Sequence, residues 1–295
     1  MPADDFTQPS FGQRYFAVRR RLGPLVMGID PSKESLAAWG LEDSPVGLKE
    51  FCAASLEVAS SRVGLVKFQS AFFERQGWRG MRVLSEAMQE ARSNGLLVIL
   101  DVKRSDIGST AFAYGEAFFN QKADFFADAV TLTPYLGVEE LMPVFRLAAE
   151  SGGYVFVVAR SSNDGARSIQ QVGSEGLSVE ETVLKKIRSV NQNSFAGIAA
   201  GMDHRPGVTG PVGAVFAPNC PDGIGVDLAE LGCLFLAPGI GAQGATMKMT
   251  AEVFSSCKTA VLPSVSRAVL SCGPDRKAMF EAVEALAKAA EDSLG

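Results

Sequence analysis

Apolar positions along the chain alternate between two textures. Short, nearly continuous runs of Val, Ile, Leu, Phe and Ala fall at Leu25–Ile29, Val63–Phe68, Leu96–Leu100, Ala129–Leu132, Tyr154–Val158, Val212–Phe216, Cys233–Leu236 and Ala260–Leu262. Runs of this length without polar alternation suit parallel strands covered on the outside by helices. Between them the apolar residues recur at helical spacing. In Ala278–Leu294, residues Met279, Phe280, Val283, Leu286, Ala287 and Ala290 form one stripe, with Pro274 placed to open the helix. Trp78–Arg92 and Ser109–Gln121 show similar faces. Eight strand runs separated by helical stretches predict an α/β protein folded as one (β/α)8 TIM barrel. The widest interval, from Tyr154 to Val212, must hold a helix near Val179–Val190 together with long loops. A doubly wound open sheet is the architectural alternative. The first run is not followed by G-x-G-x-x-G, so dinucleotide binding gains nothing.

A length of 295 residues is ordinary for a single barrel, and a composition 47% hydrophobic and 21% charged excludes a disordered chain. No linker or low-complexity stretch divides the sequence, so one domain is expected over residues 1–295. Residues 1–23 read as an N-terminal extension or helix, and 275–294 as a closing helix. The formal net charge of -5 argues against broad nucleic-acid binding, and Arg19, Arg20 and Arg21 read as a solvated helix end. No apolar run reaches the roughly 18 residues that span a bilayer, and Met1–Gln13 lacks the apolar core of a secretory signal. Neither a membrane nor a nucleic acid is therefore expected as a partner. The five cysteines include no C-x-x-C pair, which suggests neither a zinc site nor a disulfide framework and fits a reducing, cytoplasmic setting. The one histidine, His204, excludes a multi-His metal site and sits in a polar turn where no catalytic role is expected. Cys220 and Cys233 are expected to be inert, and Phe112, Phe118, Phe119, Phe125 and Phe126 to serve core and subunit contacts.

Reacting groups in a barrel belong at the carboxyl ends of strands and in the loops that follow. Three early strand ends carry charges that packing would not select: Asp30 after the first run, Lys67 within the second, and the series Asp101-Val102-Lys103-Arg104-Ser105-Asp106 after the third. Asp101 and Lys103 are two apart, so on a strand they leave from one face. With Lys67 from the neighbouring strand and Asp106 after a turn, two lysines and two aspartates can alternate, each charge held by its opposite neighbours. A second constellation follows the seventh run. The segment Pro238-Gly239-Ile240-Gly241-Ala242-Gln243-Gly244 offers glycines that let backbone N–H groups approach an anion, with Gln243 adding a side-chain donor. The eighth run ends in Ser266-Arg267, a guanidinium able to grip a phosphate. A phosphorylated small molecule is implied, its phosphate remote from the charge cluster. After the fifth run, Ser161-Ser162-Asn163-Asp164-Gly165 offers polar groups able to read a ring edge; an ordinary turn explains them equally well.

The stretch Leu100-Asp101-Val102-Lys103-Arg104-Ser105-Asp106-Ile107-Gly108-Ser109-Thr110 resembles the D-x-K-x-x-D signature of orotidine 5′-phosphate decarboxylases, most closely the longer bacterial (type 2) subgroup. Asp30, Lys67, the P-G-I-G-A-Q-G loop and Ser266-Arg267 occur in the family's order. The resemblance implies a metal-free and cofactor-free decarboxylation of orotidine 5′-monophosphate to UMP and CO2, the last step of de novo UMP synthesis. It implies that Lys103 protonates C6, that Asp101 lies by the substrate carboxylate, and that Lys67 and Asp106 complete the network. It also implies a homodimer in which Asp106, with Ile107 and Thr110, acts in the partner's site. Asp30 and Lys67 would hold ribose hydroxyls, Ser162 the pyrimidine edge, and Gln243 and Arg267 the phosphate.

Two segments depart from the family pattern: the sixth run ends Phe216-Ala217-Pro218-Asn219-Cys220 where a V-G-A-T-like end is expected, and the segment around His204 is unfamiliar. A rival is a metal-dependent sugar-phosphate barrel such as a hexulose-phosphate synthase, in which acidic groups hold Mg²⁺. Lys67 stands where those relatives carry an acid. A non-catalytic nucleotide-binding protein is the remaining alternative.

Overall fold

The computed structural model describes residues 9–174, 176–196, 210–219 and 223–295; His204 and Cys220 lie outside them. Eight parallel strands close into a barrel: β1 (Val26–Ile29), β2 (Leu65–Gln69), β3 (Leu97–Arg104), β4 (Ala129–Leu132), β5 (Tyr154–Arg160), β6 (Val212–Phe216), β7 (Phe235–Ala237) and β8 (Val261–Val265). Each pairs with its neighbour in sequence, and β8 returns to β1 through Val26↔Ser264 and Met27↔Val265. That closure excludes the open doubly wound sheet. A short antiparallel ribbon, Gly173–Ser174 with Leu177–Ser178, lies in the loop after β5 and outside the barrel.

The apolar runs locate all eight strands, but β3, β5 and β8 continue past them to Arg104, Arg160 and Val265. The ladder is made by backbone groups, so it persists where side chains at the mouth turn polar. β1, β4, β6, β7 and β8 are buried at every position. Each fully buried Val, Leu, Ile or Phe contributes about 1.5–3 kcal/mol.

The predicted N-terminal segment forms helix α1 (Phe11–Leu22), started by a capping box between Ser10 and Gln13. It closes the amino end of the barrel. The Phe11 ring lies 5.4 Å from that of Tyr154, and the Tyr15 hydroxyl donates to the carbonyl of Val261 at 2.7 Å; these are the first residues of β5 and β8. The Arg19–Arg21 cluster is only partly a solvated helix end. Arg19 is buried and donates to the carbonyls of Leu294 and Gly295 at 3.0 and 2.7 Å, joining the two chain ends. The C-terminal helix runs Arg276–Leu294 and packs on the helix Pro45–Arg62. Asp275 caps it, accepting from the amides of Lys277 and Ala278, so Pro274 precedes the cap and does not occupy the first turn. Phe118 and Phe119 join the core as expected, whereas Phe112 remains exposed.

The helix expected in the long interval spans Val179–Ser194, and Glu180 near its start is buried against Arg160 at the end of β5. Arg160 Nε donates to Glu180 Oε2 at 2.7 Å, its Nη2 donates to Oε1, and the guanidinium lies over the Phe216 ring. This pair fastens both ends of the loop that carries Ser161 and Ser162. Removing one partner leaves a buried, uncompensated charge, so Glu180→Ala should cost about 3–5 kcal/mol in urea unfolding. The apolar double replacement Arg160→Met/Glu180→Leu should cost less. A loss below about 1 kcal/mol in the single variant would contradict this role.

Candidate active site

The carboxyl ends of the strands surround a cavity of about 910 Å³ lined by, among others, Asp30, Lys67, Asp101, Lys103, Thr131, Ser162, Gln243, Ser266 and Arg267. At its floor β1, β2 and β3 lie side by side. Lys67 Nζ stands 3.3 Å from Asp101 Oδ2 and 3.7 Å from Asp30 Oδ1, and Lys103 Nζ donates to Asp101 Oδ1 at 2.6 Å. The result is a chain of alternating charge, Asp30–Lys67–Asp101–Lys103.

Lys67, Asp101 and Lys103 of the expected network meet within one chain. Asp30 supplies the second aspartate within the chain. Asp106 caps its own loop, its Oδ1 accepting from the Ile107 amide, and with Ile107 and Thr110 it lies outside the cavity. The shared face of Asp101 and Lys103 also arises differently from simple strand alternation. The β3–β4 register shifts between Leu100 and Arg104, and Lys103 has φ 44°. A left-handed residue in a bulge swings the ammonium back over Asp101.

Ionisation follows from this packing. Burial alone would raise the Asp101 carboxyl, but the charges of Lys67 and Lys103, with hydrogen bonds from Lys103 and Thr131, outweigh it and hold the group at about 2. Burial alone would lower Lys67, and the charges of Asp30 and Asp101 reverse the sign and raise it. Asp101 thus contributes stability that is present above the ordinary carboxylate range and is lost only as pH falls toward about 2. Two polar atoms on the wall, Asp30 Oδ1 and Ser266 Oγ, are buried without a hydrogen-bond partner among the described residues.

The opposite wall is built by three loops. Ser162 Oγ donates to Gln243 Oε1 at 2.7 Å, joining the loops after β5 and β7. Gly239, Gly241 and Gly244 all have positive φ, and a Cβ on Gly239 would stand 3.0 Å from Ser162 Cβ. These glycines make turns and close approaches and do not present a nest of free donors. The amides of Gly241, Ala242, Gln243, Gly244 and Ala245 all bond to carbonyls inside the loop. The side chains of Gln243 and Arg267 line the cavity beside this loop. Arg267 begins the short helix Arg267–Leu270 after β8 and makes no ion pair among the described residues.

Two residues escaped the sequence reading. Asn219, in the segment that departs from the family pattern, donates from Nδ2 to the carbonyls of Ser162 at 3.0 Å and Gln243 at 3.1 Å, tying the two loops together. Thr131, on β4, donates to Asp101 Oδ1 at 2.6 Å. Its signal was a lone hydroxyl inside an apolar run. Cys233 is buried and its thiol is pushed up by burial, in keeping with an inert side chain. No group of three or more His, Cys, Asp or Glu side chains suited to a metal occurs among the described residues. No helix among them is long and apolar enough to cross a membrane.

Fold and site together define a (β/α)8 barrel with a cluster of ionised side chains at its strand ends. The chain belongs to the orotidine 5′-phosphate decarboxylase / HUMPS family, whose profile matches residues 23–282. It is 42% identical to the orotidine 5′-phosphate decarboxylase of Salinispora tropica, over 93% of this chain and 95% of that protein. It is 43% identical to that of Streptomyces coelicolor, over 94% and 95%. Among solved structures, a candidate orotidine 5′-phosphate decarboxylase from Streptomyces avermitilis superposes with a TM-score of 0.88 at 38% identity, covering 100% of this chain and 99% of that one. The OMP decarboxylase of Leishmania donovani gives 0.73 at 27% identity, covering 96% and 99%.

Proposed function

We propose that the chain decarboxylates orotidine 5′-monophosphate to UMP and CO2 with its own side chains alone, Lys103 supplying the proton. The observation that carries this reading is the alternating chain Asp30–Lys67–Asp101–Lys103 at the floor of a nucleotide-sized cavity. When the bond between C6 and the carboxylate breaks, CO2 leaves and the electron pair stays on C6, where no ring or cofactor disperses it. A fixed ammonium beside that carbon stabilises the developing charge and then delivers its proton there. Lys103 suits the task because Asp101 already holds its ammonium at 2.6 Å. Asp101, kept ionised, repels a substrate carboxylate placed next to it, and binding energy from the distant phosphate and ribose offsets that repulsion.

In this reading Asp30 Oδ1, which lacks a hydrogen-bond partner among the described residues, takes a ribose hydroxyl together with Lys67, and Ser162 meets the pyrimidine edge. Gln243 and Arg267 hold the phosphate. Asp106, Ile107 and Thr110 reach the site of a second copy. In support, Asp106 does not line its own cavity, and Ile107, Phe112, Tyr135 and Leu136 are large apolar residues left exposed on the helix after β3 and the loop after β4. Burying them against a second copy removes that apolar surface from water. The metal-dependent branch is disfavoured because the Lys67 ammonium lies between Asp30 and Asp101, where a divalent ion would have to bridge.

The test is loss of orotidine monophosphate absorbance on adding purified protein in excess EDTA. Stoichiometric UMP is expected. No conversion in EDTA, followed by turnover of a sugar phosphate once Mg²⁺ is restored, would overturn the reading.

A further inference from the structure

We propose that Thr131 is a positioning residue of this site: its hydroxyl ties the Asp101 carboxylate to the backbone that carries Lys103. The role, though not the hydrogen bonds, rests on the decarboxylase reading above.

Thr131 stands in β4 between Val130 and Leu132 and is 1% exposed. Packing gives no reason for the hydroxyl. Valine has the same branched shape and suits a strand equally well, whereas a buried hydroxyl costs free energy unless it is bonded. Both bonds of this one go to the charge network. It accepts from the Lys103 amide at 3.1 Å and donates to Asp101 Oδ1 at 2.6 Å. The directions are fixed, because an amide nitrogen only donates, an ionised carboxylate only accepts, and a hydroxyl has a single proton.

The backbone explains why the bond to Lys103 is needed. The β3–β4 ladder breaks between Leu100 and Arg104, and the Thr131 hydroxyl is the acceptor that meets the Lys103 amide in that gap. Lys103 is also the one non-glycine residue with positive φ among the described residues. Such a conformation is strained and persists where surrounding contacts fix it. The same bulge brings Lys103 Nζ onto Asp101 Oδ1, the oxygen that Thr131 also engages. One side chain thus sets both the orientation of the carboxylate and the path of the lysine.

The groups that face Asp101 are Lys67 from β2 and Lys103 from its own strand, with Asp30 of β1 beyond Lys67; β4 contributes Thr131 alone. Losing the hydroxyl removes a bond made to the ionised form, so the Asp101 midpoint must rise.

The experiment compares Thr131→Val and Thr131→Ser with the wild type. It reads steady-state kinetics with orotidine monophosphate, and the pH titration of the Asp101 carboxyl carbon by ¹³C NMR. In Thr131→Val, kcat is expected to fall about 10- to 100-fold while KM stays within about threefold, and the Asp101 midpoint is expected to move up from about 2. Thr131→Ser keeps the hydroxyl, and should stay within about threefold of wild type with an unmoved midpoint. Wild-type kcat and midpoint in Thr131→Val would overturn the proposal. So would equal losses in both variants, which would assign the effect to packing. A wild type that does not turn over orotidine monophosphate would count against the decarboxylase reading, while the titration still decides whether the Thr131 hydroxyl holds Asp101.

Discussion

Lys103→Ala is expected to reduce turnover of orotidine monophosphate by about 10⁴-fold or more while UMP still binds within about tenfold of wild type. In the proposed mechanism the ammonium has two tasks, stabilising charge at C6 and donating the proton, and alanine removes both. Affinity for the product should survive, because in the proposed reading the phosphate and ribose are gripped by Gln243, Arg267, Asp30 and Lys67, on other strands and loops. Single-turnover UMP formation and calorimetric UMP titration read the two quantities separately. A variant within about a hundredfold of wild-type turnover would remove Lys103 from the chemistry. A cell that depends on this chain and grows normally with Lys103→Ala would favour the non-catalytic alternative.

The second large effect tests the proposed division of the site between two chains of a dimer. Lys103→Ala and Asp106→Asn are each expected to be nearly inactive alone. Mixed under conditions that allow exchange of subunits, they should recover roughly a quarter of wild-type activity. Half of the dimers are then hybrids, and each hybrid has one site with both defects and one with none. The native site takes Lys103 from the Asp106→Asn chain and Asp106 from the Lys103→Ala chain. This outcome requires Asp106 to act in the partner. No recovery, in a mixture shown by mass spectrometry to contain hybrid dimers, would place Asp106 in its own chain's site or outside any site. The geometry motivates the design: Lys103 lines the cavity, whereas Asp106, three residues later, does not and accepts from the Ile107 amide.

The parts of this protein that the sequence displayed are those governed by local patterning. Apolar runs marked all eight strands because a barrel strand covered by helices tolerates little else. Asp30, Lys67, Asp101 and Lys103 stood out because each interrupts such a run at its end, where burial of a charge is expensive without partners. The motif also carried the family, and the matched residues 23–282 bear that out. Strand ends were less legible, since β3 and β5 extend into polar positions that hydrophobicity alone assigns to loops.

Contacts between segments far apart in sequence were decided by the tertiary structure. Asp30 meets Lys67 because β1 pairs with β2, and Asp106, beyond the β3 bulge, does not line the cavity of its own chain. Asn219 has no local signal, as its value lies in reaching two carbonyls on different loops. The glycine-rich loop shows the converse: composition allowed an open nest of amides, and the observed turn spends them internally. The sequence by itself determined eight helix-covered strands with charged ends, because those follow from period and burial. Which charges meet, which hydroxyl holds them and which amides stay free depend on register and closure, and only the folded chain brings those atoms within bonding distance.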